Sequence, residues 1–82
     1  MQLHYTDHCR IRMAERGVTE SIIQATVESP DEILHGDEGD EIALRRYGSR
    51  ELRVIFRQLR TDDILVITVM QHKVRRDEQD PS

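Results

Sequence analysis

The chain has 82 residues, of which 34% are charged, and its formal net charge is −4. This length supports one domain with a single modest core. The longest apolar run, Ile64 to Met70, is too short to cross a bilayer, and Cys9 is the only cysteine, so we expect a cytoplasmic protein without disulfides or a membrane partner.

The first part of the chain predicts a strand followed by two helices. Gln2 to Tyr5 is typical of a short strand. Thr6 is a favourable N-cap for a first helix, and Gly17 is the residue type that commonly ends one. Thr19 can cap a second helix, which Ser29-Pro30 would end because proline cannot continue it.

One stripe of the first predicted helix carries potential chemistry. His8, Arg12 and Arg16 follow one another at i, i+4 spacing, which places them on one side of a helix. A proton carrier beside two fixed cations is suited to binding a phosphate diester. The same pattern is also typical of a helix with a basic polar face, so both interpretations stay open.

An acidic segment follows the second predicted helix. Residues 28–41 contain seven acidic side chains and no Lys or Arg, and we expect this segment to be a mobile loop. Without it and the three acids of the C-terminal end, the chain has twelve basic residues, eleven of them arginine, against six acidic ones. Arginine forms paired hydrogen bonds with phosphate or carboxylate. A basic surface is therefore predicted, although its arginines could also pair with the acidic segment.

Three strands are predicted after the acidic segment. They span residues 42–47, 51–59 and 64–71, with short turns between them. The order β-α-α-β-β-β predicts an α+β fold, a mainly antiparallel four-stranded sheet with two helices packed on one face. Residues 1–74 would form this domain, and residues 75–82 would be a disordered charged tail.

Alternation along these strands predicts two different faces. The side chains predicted to face the helices are Ile42, Leu44, Leu52, Val54 and Phe56. Those predicted on the open side are Arg45, Tyr47, Arg53, Arg57, Thr68 and His72, with Arg46 at the core-side rim. The placement of the last strand assumes that Leu65, Ile67 and Val69 point inward. The open side would then be a cationic surface.

The chain also resembles a known family over about residues 3–72. The resemblance rests on the run His8-x-x-x-Arg12-Met13-x-x-Arg16-Gly17-Val18-Thr19, on the helix ending at Pro30, and on the strand Ile64-Leu65-Val66-Ile67-Thr68-Val69. These features are similar to the family called domain of unknown function 4258. That family resembles RelE/ParE-type toxins, which belong with the barnase-like group of metal-independent ribonucleases. The resemblance implies a bacterial toxin with RNA or a ribosome and an antitoxin as partners, and it brings over His8, Arg12 and Thr68.

Cleavage of this kind would proceed by attack of a 2′-hydroxyl on the neighbouring phosphate, with a base, an acid and cations supplied by the protein. The predicted catalytic residues are His8, Arg12, Arg53, Thr68 and His72. His8 suits the base because a helix N-terminus disfavours charged imidazole, and His72 would be the acid. The predicted RNA-binding residues are Arg16, Arg45, Arg46, Tyr47 and Arg57. No cofactor is predicted, because no His or Cys pair has a recognised zinc spacing.

Alternatives stay open at each level. The scaffold could be a non-catalytic module that acts through protein contact, or an interaction domain without a nucleic-acid role, as a monomer or a homodimer. His8 could instead be a packed core histidine, and Arg12 and Arg53 could form ion pairs with the acidic segment. His72 could be a solvated residue, and Tyr47 could simply fill the sheet.

Overall fold

A computed structural model describes residues 1–73, which form two helices and five strands. The elements are β1 (Gln2–Tyr5), α1 (Asp7–Arg16), α2 (Glu20–Glu28), β2 (Glu32–His35), β3 (Glu41–Tyr47), β4 (Arg50–Gln58) and β5 (Asp63–Lys73). The predicted helices and the four predicted strands are confirmed, with small differences at their ends. The predicted tail, residues 75–82, lies outside the described residues, as does Val74. No helix within residues 1–73 is long and apolar enough to span a membrane.

Both helices begin after the predicted N-cap residues and end at the predicted terminating residues. The Thr6 hydroxyl accepts a hydrogen bond from the Cys9 N–H at 3.0 Å, and the Thr19 hydroxyl does the same for Ile22 at 3.3 Å. Gly17 ends α1 with φ of 65°, in the left-handed region that glycine enters without a steric penalty. These signals are local, which explains why the sequence alone located both helices.

The sheet has the strand order β1-β5-β4-β3-β2. β1 is parallel to β5, and the other neighbours are antiparallel. The sheet is therefore mixed and five-stranded, and the expected four-stranded sheet is wrong. The additional strand, β2, lies in the acidic segment predicted to be a loop. Its Ile33 and Leu34 lie opposite Ala43 and Ile42 of β3. Pairing with this distant strand, which the local sequence pattern could not reveal, makes the segment a strand.

The core lies between the helices and one face of the sheet. Its buried residues are Cys9, Met13, Val18, Ile23, Ala43, Leu52, Val54, Phe56, Ile64, Val66 and Val69. Leu52, Val54 and Phe56 thus face inward as predicted, because strict alternation with polar neighbours identified their side of β4. The face of the sheet turned away from this core is called the open face below.

The predicted faces of β3 are reversed. Ala43 lies opposite the buried Val54, and Arg45 lies opposite the buried Leu52, so Ala43, Arg45 and Tyr47 are on the core side. The open face instead receives Ile42, Leu44 and Arg46. A small alanine lets α2 pack closely, while Arg45 and Tyr47 reach polar partners on that helix. Residue polarity alone therefore assigned this strand to the wrong side.

A β-bulge changes the faces along β5. Ile55 of β4 lies opposite Thr68, but the next residue, Phe56, lies opposite Val66, which leaves Ile67 as the extra residue. The residues of β5 that join the core are Ile64, Val66 and Val69. The predicted inward set of Leu65, Ile67 and Val69 is therefore correct only for Val69. An apolar strand offers no alternation from which a bulge can be predicted, and a one-residue shift reverses the faces.

Candidate functional site on the open face

Three strands bring polar side chains together on the open face. The cross-strand rows are Arg46–Glu51–His72, Leu44–Arg53–Met70 and Ile42–Ile55–Thr68. Directly opposite residues share a face, so three predicted catalytic residues, Arg53, Thr68 and His72, lie on one surface. Arg46 joins them, which corrects its predicted position at the core-side rim.

Glu51 is the residue of this surface that the sequence reasoning missed. The Arg53 Nε donates a hydrogen bond to Glu51 Oε1 at 3.0 Å, and the Glu51 side chain is 21% exposed. His72 lies opposite Glu51 on β5 and is exposed. The signal was present in the sequence, because Glu51 has the same strand parity as Arg53. A carboxylate, a guanidinium and an imidazole therefore occupy neighbouring positions on β4 and β5.

Arg57 lies on the same side of β4, near the turn of the acidic hairpin. Its Nη2 is 2.6 Å from Asp40 Oδ1, its Nε donates to the same oxygen at 2.8 Å, and Nη2 also donates to the Glu38 carbonyl. The Arg57 guanidinium is therefore paired with the acidic segment. Such pairing was one of the two interpretations that the sequence left open for the arginines. Arg53 pairs with Glu51 of its own strand instead, and Arg12 pairs with Glu15 at 3.3 Å.

The start of α1 is anchored to β5 beside Thr68. The Thr6 N–H donates to the Val66 carbonyl at 3.2 Å, and its hydroxyl donates to the Ile67 carbonyl at 2.7 Å. His8 follows two residues after this anchor, and Thr68 follows the acceptor Ile67 directly. The N-terminal end of α1 and the middle of β5 therefore belong to one region of the molecule.

The stripe on α1 is exposed at its first and last residues. His8 is exposed, so the alternative of a packed core histidine is wrong, and Cys9 fills the buried position instead. Arg12 is half-buried and Arg16 is exposed. Within residues 1–73, neither the His8 imidazole nor the Arg16 guanidinium has a hydrogen-bond or ion-pair partner.

Arg45 and Tyr47 lie on the other side of the sheet and serve the fold. Arg45 Nη1 donates to the carbonyls of Ala25 and Ser29, at 3.2 and 3.3 Å. The Ala25 carbonyl, near the C-terminal end of α2, also accepts from the Ser29 N–H at 2.9 Å, so Arg45 adds a second donor to it and supplies one to the Ser29 carbonyl just beyond the helix. The Tyr47 hydroxyl lies 2.9 Å from the hydroxyl of the fully buried Thr26. Both side chains thus satisfy polar groups of α2 and are separated from Arg53 by the sheet.

Two titratable groups near the N-terminus have shifted pKa values. Burial raises the pKa of the Cys9 thiol, and the nearby Arg10 opposes this only in part. Burial, with Glu20 adding to it, also raises the pKa of Tyr5. Cys9 is therefore held as a neutral thiol, the form that is a poor nucleophile. Among residues 1–73, no group of three or more His, Cys, Asp or Glu side chains could hold a metal ion.

The fold and this surface define a small α+β protein with a mixed sheet, covered by helices on one face and lined with polar side chains on the other. A family model matches residues 5–71, and the chain belongs to the family described as a domain of unknown function, DUF4258. No curated protein and no solved structure is significantly similar to the chain. The relationship to RelE/ParE-type toxins stays a prediction.

Proposed function

We propose that the open face binds single-stranded RNA and cleaves it by attack of a 2′-hydroxyl on the adjacent phosphate. The observation that supports this is the close arrangement of Glu51, Arg53 and His72, which provides a carboxylate, a cation and an imidazole on one surface. These are the groups that proton transfer and phosphate stabilisation require.

The reaction assigns a step to each group. Glu51 takes the proton of the 2′-hydroxyl, whose oxygen forms a bond to phosphorus. The bond from phosphorus to the 5′ oxygen breaks, and His72 donates the proton that the leaving oxygen needs. The products are a 2′,3′-cyclic phosphate and a 5′-hydroxyl. Arg53 stabilises the charge on the phosphate oxygens during this exchange, since a guanidinium binds phosphate through two parallel hydrogen bonds.

The start of α1 is bonded to β5 next to Thr68, although α1 itself packs on the core side of the sheet. His8, Arg12 and Thr68 are the positions that the family resemblance brings over, and the hydrogen bonds of Thr6 place the start of α1 beside Thr68. Thr68 is four residues before His72, or roughly 13 Å along a strand. In the proposal, this region holds the RNA segment that continues beyond the scissile phosphate.

The test is cleavage of a labelled single-stranded RNA by the purified protein, with and without EDTA. We expect cleavage in EDTA, with cyclic phosphate ends. Glu51→Gln and His72→Ala are each expected to slow it by roughly 10²-fold or more. His35→Ala is the matched control, because His35 is an exposed histidine on β2 whose ring pairs with Glu41 at 3.3 Å and lies two strands away from β5. Loss of cleavage in His8→Ala, with full activity in His72→Ala, would assign the essential imidazole to α1 and contradict the Glu51–His72 pair.

A second candidate is a module that acts through protein contact without catalysis. One observation that favours it is apolar: Leu44, Ile55 and Met70 lie next to Arg53 on the open face. The other is that Arg53 and Arg57 already have carboxylate partners. It predicts that the protein arrests bacterial growth when expressed and that the arrest survives both His8→Ala and His72→Ala. The proposed nuclease predicts that growth resumes in at least the His72→Ala variant.

A further inference from the structure

The edge strand β2 exposes two large aliphatic side chains. It lies at the end of the strand order, and all four of its residues are exposed. Ile33 is 40% exposed and Leu34 is 37% exposed, although they lie on opposite sides of the strand. Exposed edge strands with aliphatic side chains readily accept another strand.

The backbone of β2 has unpaired groups that point outward. The Gly36 N–H donates to the Asp40 carbonyl at 2.7 Å and closes the hairpin with β3. Hydrogen-bonded and non-bonded pairs alternate in an antiparallel ladder, so Leu34 and Glu32 bond to β3. The N–H and C=O groups of Ile33 and His35 therefore face the outer edge, where none of the strands formed by residues 1–73 lies next to β2.

The charge around this edge is negative and only partly neutralised. Asp40 pairs with Arg57, and Glu41 pairs with His35. Glu32, Asp37 and Glu38 have no ion-pair partner among residues 1–73. Two copies of this edge would bring these like charges together, which disfavours β2–β2 pairing. An added strand with basic side chains would instead be attracted.

We propose that β2 binds an extended, basic segment of a partner protein, which adds a sixth strand to the sheet. The backbone of Ile33 and His35 would supply the hydrogen bonds, the side chains of Ile33 and Leu34 the apolar contacts, and the acidic residues the preference for Lys or Arg. The site does not depend on the proposed RNA chemistry, because β2 and β5 are separated by two strands.

The test uses two short synthetic peptides of equal length, one alternating valine with lysine and the other valine with glutamate. Amide hydrogen exchange of the full chain, followed residue by residue by NMR, is the measurement. We expect the basic peptide to slow exchange at Ile33 and His35, and the acidic peptide to have no effect. Three outcomes would overturn the proposal. The first is equal protection by both peptides, and the second is no protection by either. The third is protection without peptide in a protein that sediments as a dimer.

Two kinds of variant separate strand addition from charge attraction alone. Ile33→Pro removes an outward N–H that β3 does not use, and it is expected to weaken binding of the basic peptide by about tenfold. Asp37→Lys combined with Glu38→Lys leaves the strand intact and is expected to weaken binding by about as much. Cleavage of RNA should be unchanged in the charge variant. Full binding by that folded variant would contradict the inferred basic partner even if Ile33→Pro failed to fold.

Discussion

The two faces of β4 show how one strand serves two purposes. On the core side, Leu52, Val54 and Phe56 are each at most 4% exposed and pack beneath the helices. On the open face, Glu51 and Arg53 form an ion pair that is partly accessible to solvent. The side-chain period of two in a strand makes this separation possible. Substitutions on one face should therefore change stability, and substitutions on the other should change function.

The comparison extends to two arginines on neighbouring strands. Arg45 and Arg53 are both half-buried, but they lie on opposite faces of the sheet. Arg45 is bound to backbone carbonyls of α2, whereas Arg53 is bound to a side chain that can itself take part in chemistry. An arginine-rich composition therefore does not define a single basic surface, since the partners of each guanidinium decide its role.

The largest expected effect is on the core side of β4. Phe56→Ala should lower the free energy of unfolding by about 3–5 kcal/mol, because it removes a large buried ring and leaves a cavity. The adjacent Ile55→Ala lies on the open face and should cost less than half as much. The measurement is urea denaturation of both variants and the parent. The dependence of the free energy of unfolding on urea concentration is compared among the three proteins. Equal losses would show that the open face is buried in solution, for example in a homodimer.

The two arginines should separate function from stability. Arg53→Ala is expected to slow RNA cleavage by about 10²-fold, since the phosphate charge loses its guanidinium. Arg45→Ala should leave the cleavage rate unchanged and lower the free energy of unfolding by about 1–3 kcal/mol, because carbonyls of α2 lose a donor. Cleavage rates and urea midpoints are measured on the same preparations. A slower reaction in Arg45→Ala at full stability would contradict the division between the faces.

A smaller effect is expected at the hydroxyl pair beneath α2. Tyr47→Phe should lower the free energy of unfolding by about 1 kcal/mol, because the hydrogen bond to Thr26 is lost. The loss is limited since Thr26 keeps its bond to the Ile22 carbonyl at 2.8 Å. A double-mutant cycle with Thr26→Val measures the coupling between the two hydroxyls. Additive losses in that cycle would mean that the pair contributes nothing to stability.

The smallest expected effect is a loss of stability at alkaline pH that arises from Cys9, on the core side of α1. Because burial raises the pKa of Cys9, the folded protein favours the neutral thiol more than the unfolded chain does. The Cys9 thiol therefore contributes fully to the free energy of unfolding at neutral pH. This contribution is lost as the pH rises above about 8.5, the ordinary pKa of a thiol. Thermal unfolding across this range should show a smaller decline for Cys9→Ala than for the parent. Tyr5 adds a further decline at higher pH in both proteins, because its pKa is also raised.

Part of the candidate site could be predicted from the sequence. Arg53 was placed on the open face because β4 alternates clearly. Thr68 was placed there by assuming that Leu65, Ile67 and Val69 point inward, which is correct only for Val69. Glu51 was available from the same alternation and was overlooked. Arg45 and Tyr47 could not be assigned, because polarity places them outside the core until the carbonyls of α2 and the Thr26 hydroxyl are known as their partners.

The sequence by itself determined the elements with local signals: both helices, through Thr6, Gly17 and Thr19, and the two faces of β4. Only the tertiary structure decided the pairing of β2, the reversed faces of β3 and the bulge in β5. The physical reason is the range of the interactions. A cap or an alternating strand is specified by neighbours in the chain, whereas a sheet register depends on distant backbone groups that supply the missing hydrogen bonds.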